Sequence, residues 1–387
     1  MNIKVKGILT NYAMLIATVA VILFFTVATK GMLILPQNVN NLIAQNAYVF
    51  ILATGMLLCI LTGGNIDLSV GSIVCLVGAI GAVMMVKHNV PIPVAIIAML
   101  VIGVLIGAWQ GYWIAYVGVP PFITTLAGMF AWRGLANVIL QGLTISPMPD
   151  KFLALFNSYV PDFIGGAGSK FNITCFVAAI IISVLYILAQ FTSRNNKLKK
   201  GYEVEAMPTM IIKTVLICAV LLWFMFKLAE YKGIPVILIW VAVIIAIYTY
   251  ITSKTTTGRY FYAVGGNRAA TALSGIDTNK VYFIAYTNMA FLSSIAAFVV
   301  MARLNSANPT AGTNYEMDAI GSCFIGGASA YGGTGTTGGV VVGAILMGIL
   351  NLGMSIMGVD MNWQKVVKGS VLLFAVIFDV VSKKKAA

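Results

Sequence analysis

The sequence predicts an all-α protein that crosses a membrane many times, and three observations carry that reading. Of 387 residues, 60% are hydrophobic and only 9% are charged, where a soluble domain carries about 45–50% apolar and about 25% charged residues. The apolar residues gather into stretches of roughly 20, the length a helix needs to span hydrocarbon. The basic residues, 24 Lys and Arg against 11 Asp and Glu, fall in short runs between those stretches, as the positive-inside rule asks of a membrane protein. Together these exclude a soluble enzyme, a disordered chain and a nucleic-acid binder, despite a net charge of +13. Helices are expected because unpaired backbone groups are too costly in hydrocarbon.

The first span, 12–29, follows Lys4 and Lys6 and lacks a small-residue cleavage site, so it reads as a retained helix and not a signal peptide. Further spans are expected at 42–62, 70–86, 92–117, 122–140, 172–191, 211–229, 234–252, 281–300, 338–357 and 364–381. A shorter Gly-rich segment, 316–331, either crosses or dips in and returns. The expectation is therefore about 10–12 transmembrane helices, broken or re-entrant segments included. Placing both termini in the cytoplasm puts fourteen basic residues inside and seven outside, the bias that sets orientation. The chain then reads as one transmembrane domain over 1–387, with an external loop at 141–171 and a cytoplasmic loop at 253–280. Cys59, Cys75, Cys175, Cys218 and Cys323 lie in apolar stretches without paired spacing, and His88 is the only histidine, so neither a disulfide framework nor a metal site is expected.

Residues 61–72 read LTGGNIDLSVGS. Gly63 and Gly64 interrupt an apolar run, and Asn65, Asp67, Ser69 and Ser72 follow at once. A carboxylate at the centre of a membrane helix costs about 2.5–3.5 kcal/mol on insertion scales, so something must stabilise it. Asp67 either caps the next helix, accepting amide hydrogens at its positive end, or belongs to a broken helix that exposes polar groups to a transport path. The two readings are compatible.

Residues 324–350 contain Gly333-Thr-Gly335-Thr-Thr-Gly338, a literal G-x-G-x-x-G. The nucleotide-binding reading fails on context, because no strand precedes it and the helix that follows is apolar enough to span. A flexible turn leading into close helix packing is the better reading, with Gly339, Gly343 and Ala344/Gly348 at small-xxx-small spacing; Gly103, Gly107 and Gly111 repeat that spacing. A weak echo links the two glycine regions: a GG pair, a polar stretch, then VGAI at Val77–Ile80 and again at Val342–Ile345. In the cytoplasmic loop, Asn267 is a fair N-cap, 268–274 is helix-friendly and Gly275 is a fair stop. Arg133 is expected to snorkel to the interface, and Glu316 and Asp318 to favour the positive end of a helix.

LTGGNIDLSVGS, PPFITTLAGM (120–129), GRYFYAVGGNRAATALSGI (258–276), ARLNSANPTAG (302–312) and EMDAI (316–320) resemble the permease subunits of bacterial ABC monosaccharide importers, the ribose, galactose, xylose and arabinose systems. ISPMPD (145–150) and the hydrophobic sequence at 202–252 look like the multiple-monosaccharide branch. The resemblance implies an ABC-importer permease fold in the bacterial inner membrane and a homodimer with a central path. It implies no cofactor in this chain: ATP and magnesium would sit on a separate ATPase subunit. A periplasmic or lipid-anchored sugar-binding protein would dock on the other side. By motif match, Asn65, Asp67, Ser69 and Ser72 fall beside the path. Gly265, Gly266, Asn267, Arg268, Ala269, Leu273 and Gly275 fall on the ATPase-coupling element. Arg303, Asn305 and Glu316 are candidates for binding-protein docking. Met317 replaces the family's usual Leu. A neutral, hydroxyl-rich sugar needs a polar path but no charge-pairing site, and intramembrane charges are few, which agrees. The competing expectations are an ABC permease for branched-chain amino acids, an ion-coupled secondary sugar carrier, for which only Asp67 and Asp318 offer ion sites, and a membrane-embedded enzyme, for which no nucleophile–base pair or clustered acids are visible.

Overall fold

Proline starts four helices of this chain, and a glycine at positive φ follows the end of several, Gly142, Gly201 and Gly358 among them. Pro36, Pro93, Pro121 and Pro208 occupy the first or second positions of four helices, where the missing N–H costs nothing. The computed structural model describes residues 3–166 and 168–384. Lys4, Lys6 and Lys383 to Lys385, which weigh in the orientation count, lie outside the residues whose side chains are described.

In order, the helices are α1 (Ile3–Ala28), α2 (Pro36–Leu61), α3 (Val70–Ala82), α4 (Ile92–Tyr112), α5 (Pro121–Leu140), α6 (Asp150–Phe156), α7 (Ile173–Lys199), α8 (Met207–Ala229), α9 (Val236–Lys254), α10 (Thr256–Gly266), α11 (Arg268–Leu273), α12 (Thr278–Leu304), α13 (Tyr315–Ile325), α14 (Thr337–Ile356) and α15 (Met361–Lys384). α3 and α4 each continue through one π-helical turn, Val83–Lys87 and Trp113–Val117. Among the described residues there are no named strands, and nine helices are long and apolar enough to cross a membrane: α2, α3, α4, α5, α7, α8, α9, α12 and α14. The expected span at 364–381 is helical within α15, but it carries Lys365, Lys368 and Asp379 and stands outside the nine.

α2, α3, α12 and α14 form the buried centre, while α7 and α8 pair at the periphery. The glycine stripe of α4 lies on α12: a Cβ at Gly103 would meet Ser294, one at Gly107 would meet Ala290 and Thr287, and one at Gly111 would meet Phe283. The two helices are therefore antiparallel and closely apposed, with dispersion instead of a solvent-driven hydrophobic effect holding them.

Two crossings are broken. After α2, residues 62–69 leave helical geometry and turn back beside it, bringing the Asp67 amide to 3.4 Å from Met56 Sδ; α3 then starts inside the bundle. The Gly-rich segment does the reverse. α13 runs beside α2, with Asp318 near Tyr48 and Cys323 near Ala53, and stops after 11 residues, roughly 16 Å of rise, about half the hydrocarbon thickness. Residues 326–336 complete that course in irregular backbone before α14. The two breaks touch. Gly333 N donates to Leu61 O at 3.0 Å, and a Cβ on Gly64 would sit 1.9 Å from Ala330 O. The sequence echo thus marks two irregular segments that pack against each other, with one backbone hydrogen bond from the second to the end of α2.

Candidate functional site

The first break alternates. Asp67 and Ser69 are fully buried and Asn65 is half-buried, whereas Ile66 and Leu68 look the other way. Ile66 and Leu68 line a cavity of about 400 Å³, with Met129 of α5, Met317, Ile320 and Phe324 of α13, and Leu372 and Val376 of α15; Glu316 is its only charged lining residue. The polar residues of the motif hold the segment instead. Asp67 Oδ1 accepts from the Ser69 amide at 2.8 Å and from Ser69 Oγ at 2.6 Å. Gln110 Nε2 on α4 donates to Ser69 Oγ at 2.9 Å. Asp67 is therefore not the cap of α3: Ser69 holds the N-cap position, and the carboxylate, two residues before it, accepts from Ser69 itself and not from the helix amides. Ser72 is buried within α3.

Asn65 connects the break to the far loop. Its Nδ2 donates to Tyr282 Oη at 3.3 Å, and Tyr282 Oη donates to Thr62 O at 2.7 Å. The Tyr282 ring in turn carries the Arg268 guanidinium, 4.6 Å from the ring centroid. Arg268 Nη2 also donates to Asn279 Oδ1 at 2.9 Å. Asn267 caps α11 as its sequence suggests, accepting from the Ala270 amide at 2.9 Å, and Gly275 ends the turn at φ +81°. Gly266, Asn267, Arg268, Ala269 and Gly275 are exposed, and Leu273 is 90% exposed. Gly265 is different: a Cβ there would lie 1.7 Å from Leu61 O and 2.5 Å from Gly333 N. Position 265 is where α10, the end of α2 and the second break meet.

Arg303, Asn305 and Glu316 each have their own surroundings. Asn305 adopts φ +50°, and its Oδ1 accepts from the Met148 amide at 2.9 Å, pinning the 143–148 loop beside the end of α12. Arg303 is half-buried beside Tyr48 and Tyr315, whose rings stack at 3.7 Å. Glu316 lies in the first turn of α13. Arg133 finds partners within the protein: its Nη1 donates to Pro309 O and Ala311 O, closing the α12–α13 loop over α5.

Sequence reasoning missed three features. Asp318 is buried and pairs with Lys368 of α15, Nζ to Oδ1 2.9 Å, while Tyr48 Oη donates to Oδ2 at 2.6 Å. Tyr282 sits in an apolar run with nothing local to mark it. α10 hides behind Thr-Thr-Thr-Gly and a terminal Gly-Gly. Among the described residues no group of three or more His, Cys, Asp or Glu could hold a metal ion.

Many helices long and apolar enough to span a membrane, two breaks in contact, a cavity at one of them and an exposed helical knob linked to the same break are the features of a multi-pass transport component. A family described as "Branched-chain amino acid transport system / permease component" matches residues 38–376, and the chain belongs to it. It is 37% identical over 383 residues to the xylose transport system permease protein XylH of Haemophilus influenzae, covering 99% of both chains. It is 36% identical over 375 residues to XylH of Escherichia coli, covering 97% of this chain and 93% of the relative. To the ribose import permease protein RbsC of Escherichia coli it is 34% identical over 343 residues, covering 89% and 85%. No solved structure matches the chain.

Proposed function

We propose that this chain is the membrane subunit of an ATP-driven importer of pentoses and related monosaccharides. It would sit in the bacterial inner membrane with both termini cytoplasmic, as the distribution of its basic residues favours. α10 and α11 dock a separate ATPase subunit through the exposed Leu273 and its neighbours. A second copy of the chain completes the path, and a periplasmic or lipid-anchored sugar-binding protein delivers substrate at the opposite end, with Arg303, Asn305 and Glu316 as candidate docking residues.

The observation that carries the proposal is the continuous link from knob to break: Arg268 on Tyr282, Tyr282 on Thr62 and Asn65, and the 62–69 segment on the cavity. The nucleotide-driven approach of two ATPase subunits would shift α11, and the link would pass that shift to the segment carrying Ile66 and Leu68. Such a displacement alternates access when the two arrangements differ in which side they open. In this reading Ile66 and Leu68 form the path wall, and Asn65, Asp67, Ser69 and Ser72 keep that wall in register from behind.

The family's description names branched-chain amino acids, while the near full-length relatives are named for xylose and ribose, which favours the sugar reading. The test is uptake in proteoliposomes carrying this chain, its ATPase and its binding protein. Labelled xylose and ribose should accumulate and labelled leucine should not; accumulation of leucine alone would replace the sugar assignment. Leu68→Trp should stop uptake while leaving assembly with the ATPase intact.

A further inference from the structure

The tip of the 157–172 loop presents Phe163 and Ile164 at 76% and 60% exposure. An apolar pair at a loop tip in water is unfavourable, and this pair is not loosely held. The Asp162 carboxylate accepts from the Gly165 amide at 2.9 Å, the Ile173 amide at 3.0 Å, the Thr174 amide at 3.1 Å and Thr174 Oγ1 at 2.7 Å. The Ile164 amide donates to Thr174 Oγ1 at 3.2 Å. Ile173 and Thr174 are the first two residues of α7. The tip is thus fastened to the first turn of a helix long and apolar enough to span, and only 17% of that helix's apolar stretch is buried by protein. The outward residues Ile180, Ile181 and Leu185 of α7 are exposed below it. The Phe171, Phe176 and Phe226 rings cluster at the same end, with centroids 5.5–6.2 Å apart, and Lys170 is exposed three residues before α7 begins.

A spanning helix that is mostly unburied begins at the edge of the hydrocarbon, so whatever is bonded to its first turn lies at headgroup depth. We propose that Phe163 and Ile164 insert into the phospholipid interface and anchor the 141–171 loop to the bilayer surface, with Lys170 facing the phosphate layer. Apolar and aromatic side chains with an adjacent cation favour that zone. The anchor fixes the height of the loop, and through it of α6, relative to the membrane.

The test uses the full chain in phospholipid nanodiscs. The native cysteines are all buried, so nitroxide labels can be placed singly at Phe163→Cys, at Ile180→Cys as a lipid-facing reference, and at Leu143→Cys as an exposed loop reference. Relaxation by oxygen, which concentrates in lipid, is compared with relaxation by a water-soluble nickel chelate. The oxygen-to-nickel ratio at 163 should approach that at 180 and exceed that at 143 several-fold. Asp162→Ala should lower the ratio at 163 without altering it at 180, which separates unpinning from misfolding. A ratio at 163 equal to that at 143 overturns the proposal. So does a label that loses nickel access only when a sugar-binding protein is added, since that assigns the tip to protein docking.

Discussion

The Arg268 guanidinium lies 4.6 Å from the centre of the Tyr282 ring, and the same tyrosine's hydroxyl donates to Thr62 O at 2.7 Å. One side chain therefore touches both the exposed helical knob and the broken segment beside the cavity. Arg268→Ala removes a cation–π contact worth about 0.5–1 kcal/mol at an exposed site. It should leave the permease folded while raising the ATP hydrolysed per sugar imported. Tyr282→Phe keeps the ring and strips the hydroxyl from a buried carbonyl, at about 1–3 kcal/mol. It should lower both the melting temperature and the coupling ratio. Hydrolysis and uptake measured on the same vesicles check both.

Adjacent glycines in α10 should behave oppositely. Gly265→Ala drives a methyl into Leu61 O, whereas nothing lies within 4 Å of a Cβ at Gly266. The first should cost about 1–3 kcal/mol as an overpacked contact and the second almost nothing. Thermal unfolding in detergent distinguishes them.

The Lys368–Asp318 pair fastens α15 to α13, and both helices line the cavity. Lys368→Met leaves a buried carboxylate without its cation, which costs about 3–5 kcal/mol. Adding Asp318→Asn removes the stranded charge and should recover part of that loss. A double-mutant cycle on melting temperatures measures the coupling.

The Gly165 amide, with those of Thr174 and Ile173 and the Thr174 hydroxyl, holds the Asp162 carboxyl well below the usual carboxylate range. A depressed folded-state pKa contributes stability above the unfolded value, about 3.9, and that contribution fades only as pH falls through the folded value. A nitroxide at position 163 should stay immobile at pH 4 and gain mobility only under more acid conditions. Line shape against pH reads this directly.

The spans were legible because bilayer thickness imposes a length and a composition that any stretch of sequence displays. Asn267, α11 and Gly275 were legible because capping is local chemistry. Lys368 and Asp318 were not: fifty residues apart, they look like an interfacial cation and a dipole-stabilised acid until α15 packs on α13. Asp67 was legible as a buried carboxylate needing partners, but not that Ser69 would take both of its contacts. The alternation that turns Ile66 and Leu68 to the cavity was hidden because 62–69 is irregular backbone, and an alternation confined to residues 65–69 is faint inside a helical protein.

The central claim is that this chain is a gate driven by a separate ATPase. Labelled xylose is measured in sealed proteoliposomes with the binding protein outside and ATP inside, with this chain alone or joined to its ATPase subunit. Concentrative uptake should occur only with the ATPase, survive collapse of the proton gradient, and vanish when Leu273→Ser removes the exposed anchor on α11. Uphill accumulation by the chain alone, driven by an ion gradient, would contradict the account.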